Sequence, residues 1–166
     1  IVWATGLGPD LGFLGELRHK FTDIPHLTEL APYATFDTRI ALAGERVSSA
    51  PRLGLQTTLP NNLILITEWR PSETVRVRPG GVLHDYSQGY ISLTAYPGTK
   101  IPLITFSAIV GDAVDYTRDL LGRGETVSAS LLWRPLNRLE IQPSLDFTRV
   151  RTAAGDSLAQ SAQEKV

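Results

Sequence analysis

The sequence predicts an all-β fold, an antiparallel up-and-down meander of roughly eight strands, and three observations carry that prediction. Apolar residues recur at a spacing of two, not at the three-and-four spacing of an amphipathic helix. Eleven Pro and fourteen Gly punctuate the 166 residues and interrupt any long helical run. Three hairpins, each read separately, share one plan: strands of roughly 9 to 11 residues, a short Pro/Asn/Gly turn at one end and a longer polar loop at the other.

In chain order, Ile1 to Thr5 reads as the end of a strand. Gly6 to Pro25 reads as a Gly-containing loop with a short helical turn around Leu14 to Lys20. Leu30 to Gly44 reads as a further pair of strands bent near Phe36 and Asp37 and interrupted by Pro32, and Gly44 to Pro51 as a short loop.

The first clear hairpin is Arg52 to Arg70 around Pro60-Asn61-Asn62. A three-residue loop pairs Leu59 with Leu63, Thr57 with Leu65 and Leu53 with Trp69, so one face is apolar, while Ile64 and Ile66 blur the other. The second turns at residues 97 to 100, Pro-Gly-Thr-Lys, and sets Ile91 opposite Phe106 and Leu93 opposite Ile104, with Tyr90, Ser92, Thr94, Thr105 and Ser107 behind.

The third hairpin is Thr126 to Val150, turning at Pro135-Leu136-Asn137. Its loop pairs Trp133 with Leu139, Leu131 with Ile141 and Val127 with Leu145. The reverse face pairs Ser130 with Gln142, Ser128 with Ser144 and Thr126 with Asp146. Because a slip of one residue would mix the faces, agreement of both strands supports the pairing. Long loops are expected at Pro71 to Asp85, Gly111 to Glu125 and Arg151 to Gln163. With no Met, no basic-then-apolar opening segment and a polar end, the chain is expected to be an internal or truncated segment.

Composition narrows the function classes. The 16 Lys and Arg nearly cancel 17 Asp and Glu, so no net field gathers nucleic acid, and no nucleic-acid partner is expected. Cys is absent and His19, His26 and His84 are the only imidazoles, which removes disulfides, thiolate nucleophiles and Cys-based metal sites. Mean hydropathy is −0.04, and no apolar run approaches the ~20 residues of a membrane helix. A β-barrel needs no such run, because its strands present lipid only with every second side chain.

One apolar and one polar face suit either a soluble sandwich, which covers its apolar face with a second layer, or an outer-membrane barrel, which turns it to lipid. Two details favour the barrel. Trp133 beside a short turn and Trp69 beside a long loop occupy girdle positions, and sandwich strands are usually shorter, about 5 to 6 residues. The lipid-facing candidates are then Trp69, Ile91, Leu93, Ile104, Phe106, Val127, Leu131, Trp133, Leu139, Ile141 and Leu145. The lumen-facing candidates are Glu68, Arg70, Ser128, Ser130, Glu140, Gln142, Ser144 and Asp146.

The residues also carry a resemblance. Leu63 to Tyr116, LILITEWRPSETVRVRPGGVLHDYSQGYISLTAYPGTKIPLITFSAIVGDAVDY, and Gly122 to Val150, GRGETVSASLLWRPLNRLEIQPSLDFTRV, resemble the C-terminal barrel of a family of bacterial outer-membrane proteins. In that family a carbohydrate-binding-like domain of the ninth type precedes the barrel. Asp10 to Phe21, DLGFLGELRHKF, is similar to an upstream outer loop. The resemblance implies an outer-membrane location, lipid as surroundings, the rest of the barrel and an upstream domain as partners, a glycan as a candidate ligand, and short turns on the periplasmic side. It brings no catalytic residue, and none is expected here.

The remaining motifs are weak. Gly6, Gly8, Gly12 and Gly15 lack the spacing and the lysine of a phosphate loop. His84-Asp85-Tyr86-Ser87 holds an imidazole, a carboxylate and a hydroxyl, but neighbours in an extended segment point to opposite faces and cannot converge as a triad. Asp112, Asp115 and Asp119 do not follow calcium-loop spacing, and Arg118 and Arg123 compete for them. Glu140 and Asp146, six positions apart on a strand, stand ~20 Å apart, too far for a glycosidase pair. No cofactor or metal is expected.

Overall fold

Extended strand runs through most of the described residues. The structure, a computed structural model, describes residues 2–5, 10–41, 44–78, 81–96, 102–136, 139–152 and 157–165. The strands are β1 (Val2–Thr5), β2 (Asp10–Arg18), β3 (Glu29–Ala41), β4 (Arg46–Leu59), β5 (Leu63–Arg76), β6 (Leu83–Ala95), β7 (Leu103–Asp115), β8 (Leu120–Leu136), β9 (Leu139–Ile141), β10 (Ser144–Arg151) and β11 (Ser157–Lys165). They form one antiparallel up-and-down sheet in the order β1-β2-β3-β4-β5-β6-β7-β8-β10-β11, with β9 paired to β8. β1 and β11 stand at the edges, so hydrogen bonds do not close the sheet.

The central ladders place directly opposed residues on a common face, and the faces differ throughout. One runs from Leu53 through Trp69, Gly89 and Val110 to Glu125, with rows such as Leu65, Leu93, Phe106, Ala129 and Leu145 beside it. The other holds Glu68 with Tyr90, Ser92 with Ser107 and Ser128, and Ser130 with Ser144. Ile64 and Ile66 sit on this second, mainly polar face.

Burial is inverted relative to a water-soluble sheet. On the apolar face Leu53, Trp69, Val110 and Leu145 are 52 to 61% exposed, and Ile91, Leu93, Ile104, Phe106, Val127 and Trp133 are also exposed. On the polar face Ala31, Glu73, Ser92 and Val150 are buried. Ser49, beside the bulge between Ser49 and Leu53, is the buried exception on the apolar face. Among the described residues substantial contacts run only between ladder neighbours, so none of these residues forms a second layer over the apolar side.

Several expectations need correction. Leu14 to Lys20 is no helical turn: Asp10–Arg18 is β2, paired along β3, because Phe13 and Leu17 alternate with Leu14, Glu16 and Arg18. Asp10 to Phe21 is therefore mostly strand, not outer loop. Leu30 to Gly44 is not two strands, since β3 is continuous over 13 residues. Pro32 fits there because its carbonyl accepts from His19 N–H on the β2 side, where β2 has just ended and no ladder donor is needed.

The expected long loops are shorter, because the ladders continue where the apolar signal stops. β5 reaches Arg76, β7 and β8 pair through Asp115 and Leu120, and much of 151–163 is β11. The strands run 13 to 17 residues from β3 to β8.

The Pro60–Asn62 turn gives the expected register, with Asn61 and Asn62 at positive φ. The other two registers are displaced by two residues. Ile91 faces Ala108 and Leu93 faces Phe106, since Pro102 has no N–H to donate and β7 begins at Leu103. The turn expected at residues 97 to 100 lies outside the described residues. Val127 faces Phe147, Ser130 faces Ser144 and Trp133 faces Ile141. β8 continues through Pro135 and Leu136, so these two lie in strand and not in the expected turn, Asn137 lies outside the described residues, and Gln142-Pro143 breaks the returning strand. A slip of two preserves every face, whereas a slip of one would have inverted them.

Candidate functional site

The polar face concentrates its charged and aromatic side chains on β2 to β6. Arg18, Tyr33, Gly54, Glu68 and Tyr90 form one cross-strand row. Gly54 leaves a gap in that row, and the Tyr33 ring fills it, in contact with the space a Cβ would occupy. Crossing β4 in this way, Tyr33 donates its hydroxyl to Glu68 Oε1 at 2.6 Å. Aromatic cover of a strand glycine is a known device for fixing register.

Glu68 is held from both sides. Arg70 donates to Glu68 Oε2 through Nε at 3.0 Å and Nη2 at 2.8 Å, and its guanidinium lies 4.7 Å from the Tyr90 ring centroid. Next to it Arg52 pairs with buried Glu73 at 3.4 Å, where the bulge between Arg70 and Glu73 keeps both glutamates on this face. At the other end of the row, Arg18 donates to Gln56 Oε1 at 3.1 Å and sits 4.9 Å from the Tyr33 ring centroid.

Both Glu68 oxygens are occupied by donors, so neither is available as a base or nucleophile. The chemistry this wall offers is fixed positive and negative charge backed by aromatic rings, which suits weak, orienting contact with polar solutes. It does not suit acid–base catalysis.

The lumen-facing candidates are distributed over that face. Glu68 and Arg70 meet; Ser128 opposes Asp146 and Ser130 opposes Ser144 between β8 and β10, beyond β6 and β7. Glu140 pairs instead with exposed Arg134 at 2.7 Å, and Gln142 sits in the break between β9 and β10. Of the lipid-facing candidates, Trp69, Ile91, Leu93, Ile104, Phe106, Val127, Leu131 and Leu145 share the apolar face, Ile141 joins them opposite Trp133, and Leu139 is exposed in β9.

A second cluster lies at the long-loop end. His84 Nε2 is 2.6 Å from Asp119 Oδ1, and Arg78 holds the other oxygen at 3.2 Å. His84 and Ser87 fall on opposite faces, and the Ser87 hydroxyl accepts from Ser72 N–H, so the expected obstacle to a triad is real. The three loop aspartates are engaged separately: Asp112 by Ser87 N–H, Asp115 by Thr117 and Arg118 N–H, and Asp119 by His84 and Arg78. Among the described residues no cluster could hold a metal ion. Gly12 and Gly15 lie in β2, while Gly6 and Gly8 lie outside the described residues.

Tyr33, Gly54 and Tyr90 were not singled out from sequence as a unit. Tyr90 was visible as a polar-face residue, but the row depends on the β3–β4 pairing, and that needed β3 to be read as one strand. No protein-family model, curated protein or solved structure matches the chain.

Proposed function

We propose that this chain is part of an outer-membrane β-barrel, serving as the membrane anchor or the wall of a passage. The supporting observation is the inversion of burial: a contiguous apolar face that is open, and a polar face whose side chains are mostly half-buried. In water, exposing so much apolar surface on one face is costly and rare in monomers; in lipid it is the favourable arrangement. The apolar band has girdles at both margins. Trp69 shares a row with Glu125, and Trp133 stands eight positions further along β8, which at ~3.3 Å per residue and ~40° tilt is roughly 20 Å of membrane depth.

Lipid tolerates no unpaired strand edge, so β1 and β11 are completed by further strands of the same barrel. The charged row of Tyr33, Glu68 and Arg70 then faces the lumen. The resemblance noted above supports a role for this barrel in a larger protein with an upstream domain and a glycan as candidate ligand.

The test is fluorescence of the full-length protein in vesicles whose lipid chains carry bromine. Tryptophan-to-phenylalanine variants isolate Trp69 and Trp133. Both should be quenched by chain-brominated lipid and protected from aqueous iodide. A detergent-free, monodisperse protein whose Trp69 is quenched by iodide would overturn the proposal.

A further inference from the structure

Above the apolar band, on the same outward face, three arginines gather around a groove of about 420 Å³. Arg123 and Arg151 are directly opposed across β8 and β10, and Arg149 precedes Arg151 by two positions. Like charges placed opposite one another destabilise a sheet unless something neutralises them. Among the described residues neither Arg123 nor Arg151 forms an ion pair or side-chain hydrogen bond, and Arg149 Nε is buried without a partner. The groove also has an apolar flank, formed by exposed Trp69 and Val110.

Two carboxylates line it and both are engaged. Asp112 accepts Ser87 N–H at 3.1 Å, and Glu125 stands 4.0 Å from Arg149 Nη1. Asp112 also stands directly opposite Arg123 in the β7–β8 ladder, so the two carboxylates offset two of the three guanidiniums and one positive charge is left in excess next to an apolar wall. A guanidinium pair favours a phosphate, which it can hold by charge-assisted hydrogen bonds. The apolar flank favours a ligand whose phosphate is attached to hydrocarbon.

We infer that this groove binds the phosphate of a membrane lipid headgroup at the long-loop side of the bilayer, with Arg123 and Arg151 on the phosphate and Trp69 and Val110 against the acyl region. The inference rests on the membrane reading above. It adds a specific lipid site where that reading requires only a generic apolar surface. The position fits, because Glu125 and Arg149 share the row of Trp69 at the margin of the apolar band.

The experiment uses the full-length protein, purified in detergent and stripped of lipid, with binding followed by the rise in thermal unfolding midpoint. The probes are lipid A with its phosphates, dephosphorylated lipid A, and inorganic phosphate. Lipid A should bind at least about tenfold more tightly than its dephosphorylated form, and Arg123→Gln with Arg151→Gln should remove that preference. Without lipid, Arg151→Gln alone should be at least as stable as the parent, since the like charge opposite Arg123 is gone while Asp112 still faces Arg123. Arg134→Gln, at the short-turn end, is the control and should bind like the parent.

Equal binding of the two lipid forms, or unchanged binding by the double variant, would overturn the site. Inorganic phosphate matching lipid A would also overturn it, by pointing to a free-phosphate site. These failures leave heat-modifiable gel migration intact, whereas failure of the membrane reading abolishes that migration in every variant.

Discussion

Tyr33 lies across Gly54, so that the ring of one strand occupies the side-chain space of the next. The contact is steric on one side and polar on the other, because the same ring ends in a hydroxyl 2.6 Å from Glu68. Three strands are thereby tied at a single row, and a one-residue slip of β4 would move Gly54 away from the ring.

Gly54→Val should therefore destabilise the sheet by about 1–3 kcal/mol, the usual cost of overpacking. Tyr33→Ala should cost a comparable amount through lost contact and the lost hydrogen bond. In the double variant much of the Gly54→Val penalty should disappear, giving a coupling of about 0.5–3 kcal/mol. Denaturant unfolding in detergent checks this; strict additivity would mean that the ring does not lie over β4.

The faces can be separated by a matched pair of substitutions. Leu131→Arg should disrupt membrane assembly, while neighbouring Ser130→Arg should be tolerated or alter conductance alone. An arginine facing lipid near the midplane costs about 2–4 kcal/mol in a barrel, and one facing the lumen stays hydrated. Heat-modifiable gel migration reports assembly, and equal tolerance of both changes would argue against lipid exposure.

Register is open to a chemical test because the chain has no Cys. Val127→Cys with Phe147→Cys should oxidise readily to a disulfide, since these residues are directly opposed. Val127→Cys with Leu145→Cys should not, because diagonal neighbours stand roughly 7–8 Å apart, beyond disulfide reach. Non-reducing gels after mild oxidation distinguish them.

How far the sequence carried the fold depended on the kind of signal. Alternation in Val127, Leu131 and Trp133 fixed their common face, because face depends only on parity. It left the partner open by two residues, and that choice fell to Pro102 and Pro143, whose missing N–H groups displace the ends of strands. Where the apolar face turns polar, as at Asp112, Arg123 and Gln160, alternation stops while backbone hydrogen bonding continues, so β11 and the upper halves of β5 to β8 read as loop. The charged row was partly legible: Glu68 and Arg70 stand two apart on one strand. Tyr33 and Gly54 were not, because their meeting is a property of two strands and neither residue alone signals it.

The cluster at the long-loop end gives a fourth expectation. Asp119 has φ +57° and is held by His84 and Arg78. Asp119→Asn keeps tolerance of that backbone geometry but loses the Arg78 ion pair and the carboxylate's hydrogen bond with His84, worth about 1.5–3 kcal/mol per charged hydrogen bond at most. The 116–119 turn should then be cut faster by limited proteolysis, with assembly unchanged. Unaltered cleavage would mean that His84 does not anchor the turn.

The strands outrun the apolar band, and in the proposed barrel this would have a mechanical consequence at the mouth. From the row of Glu125, β8 and β7 remain paired for five further positions, to Leu120 and Asp115, and only a four-residue turn joins them. That is roughly 13 Å of wall above the girdle, at ~3.3 Å per residue and ~40° tilt. Such a turn is too short to fold inward across an opening, so this sector forms a stiff parapet and not a lid. In the proposed barrel, anything that covered the mouth would have to come from another sector, and this part of the wall would offer it a fixed ledge to rest on.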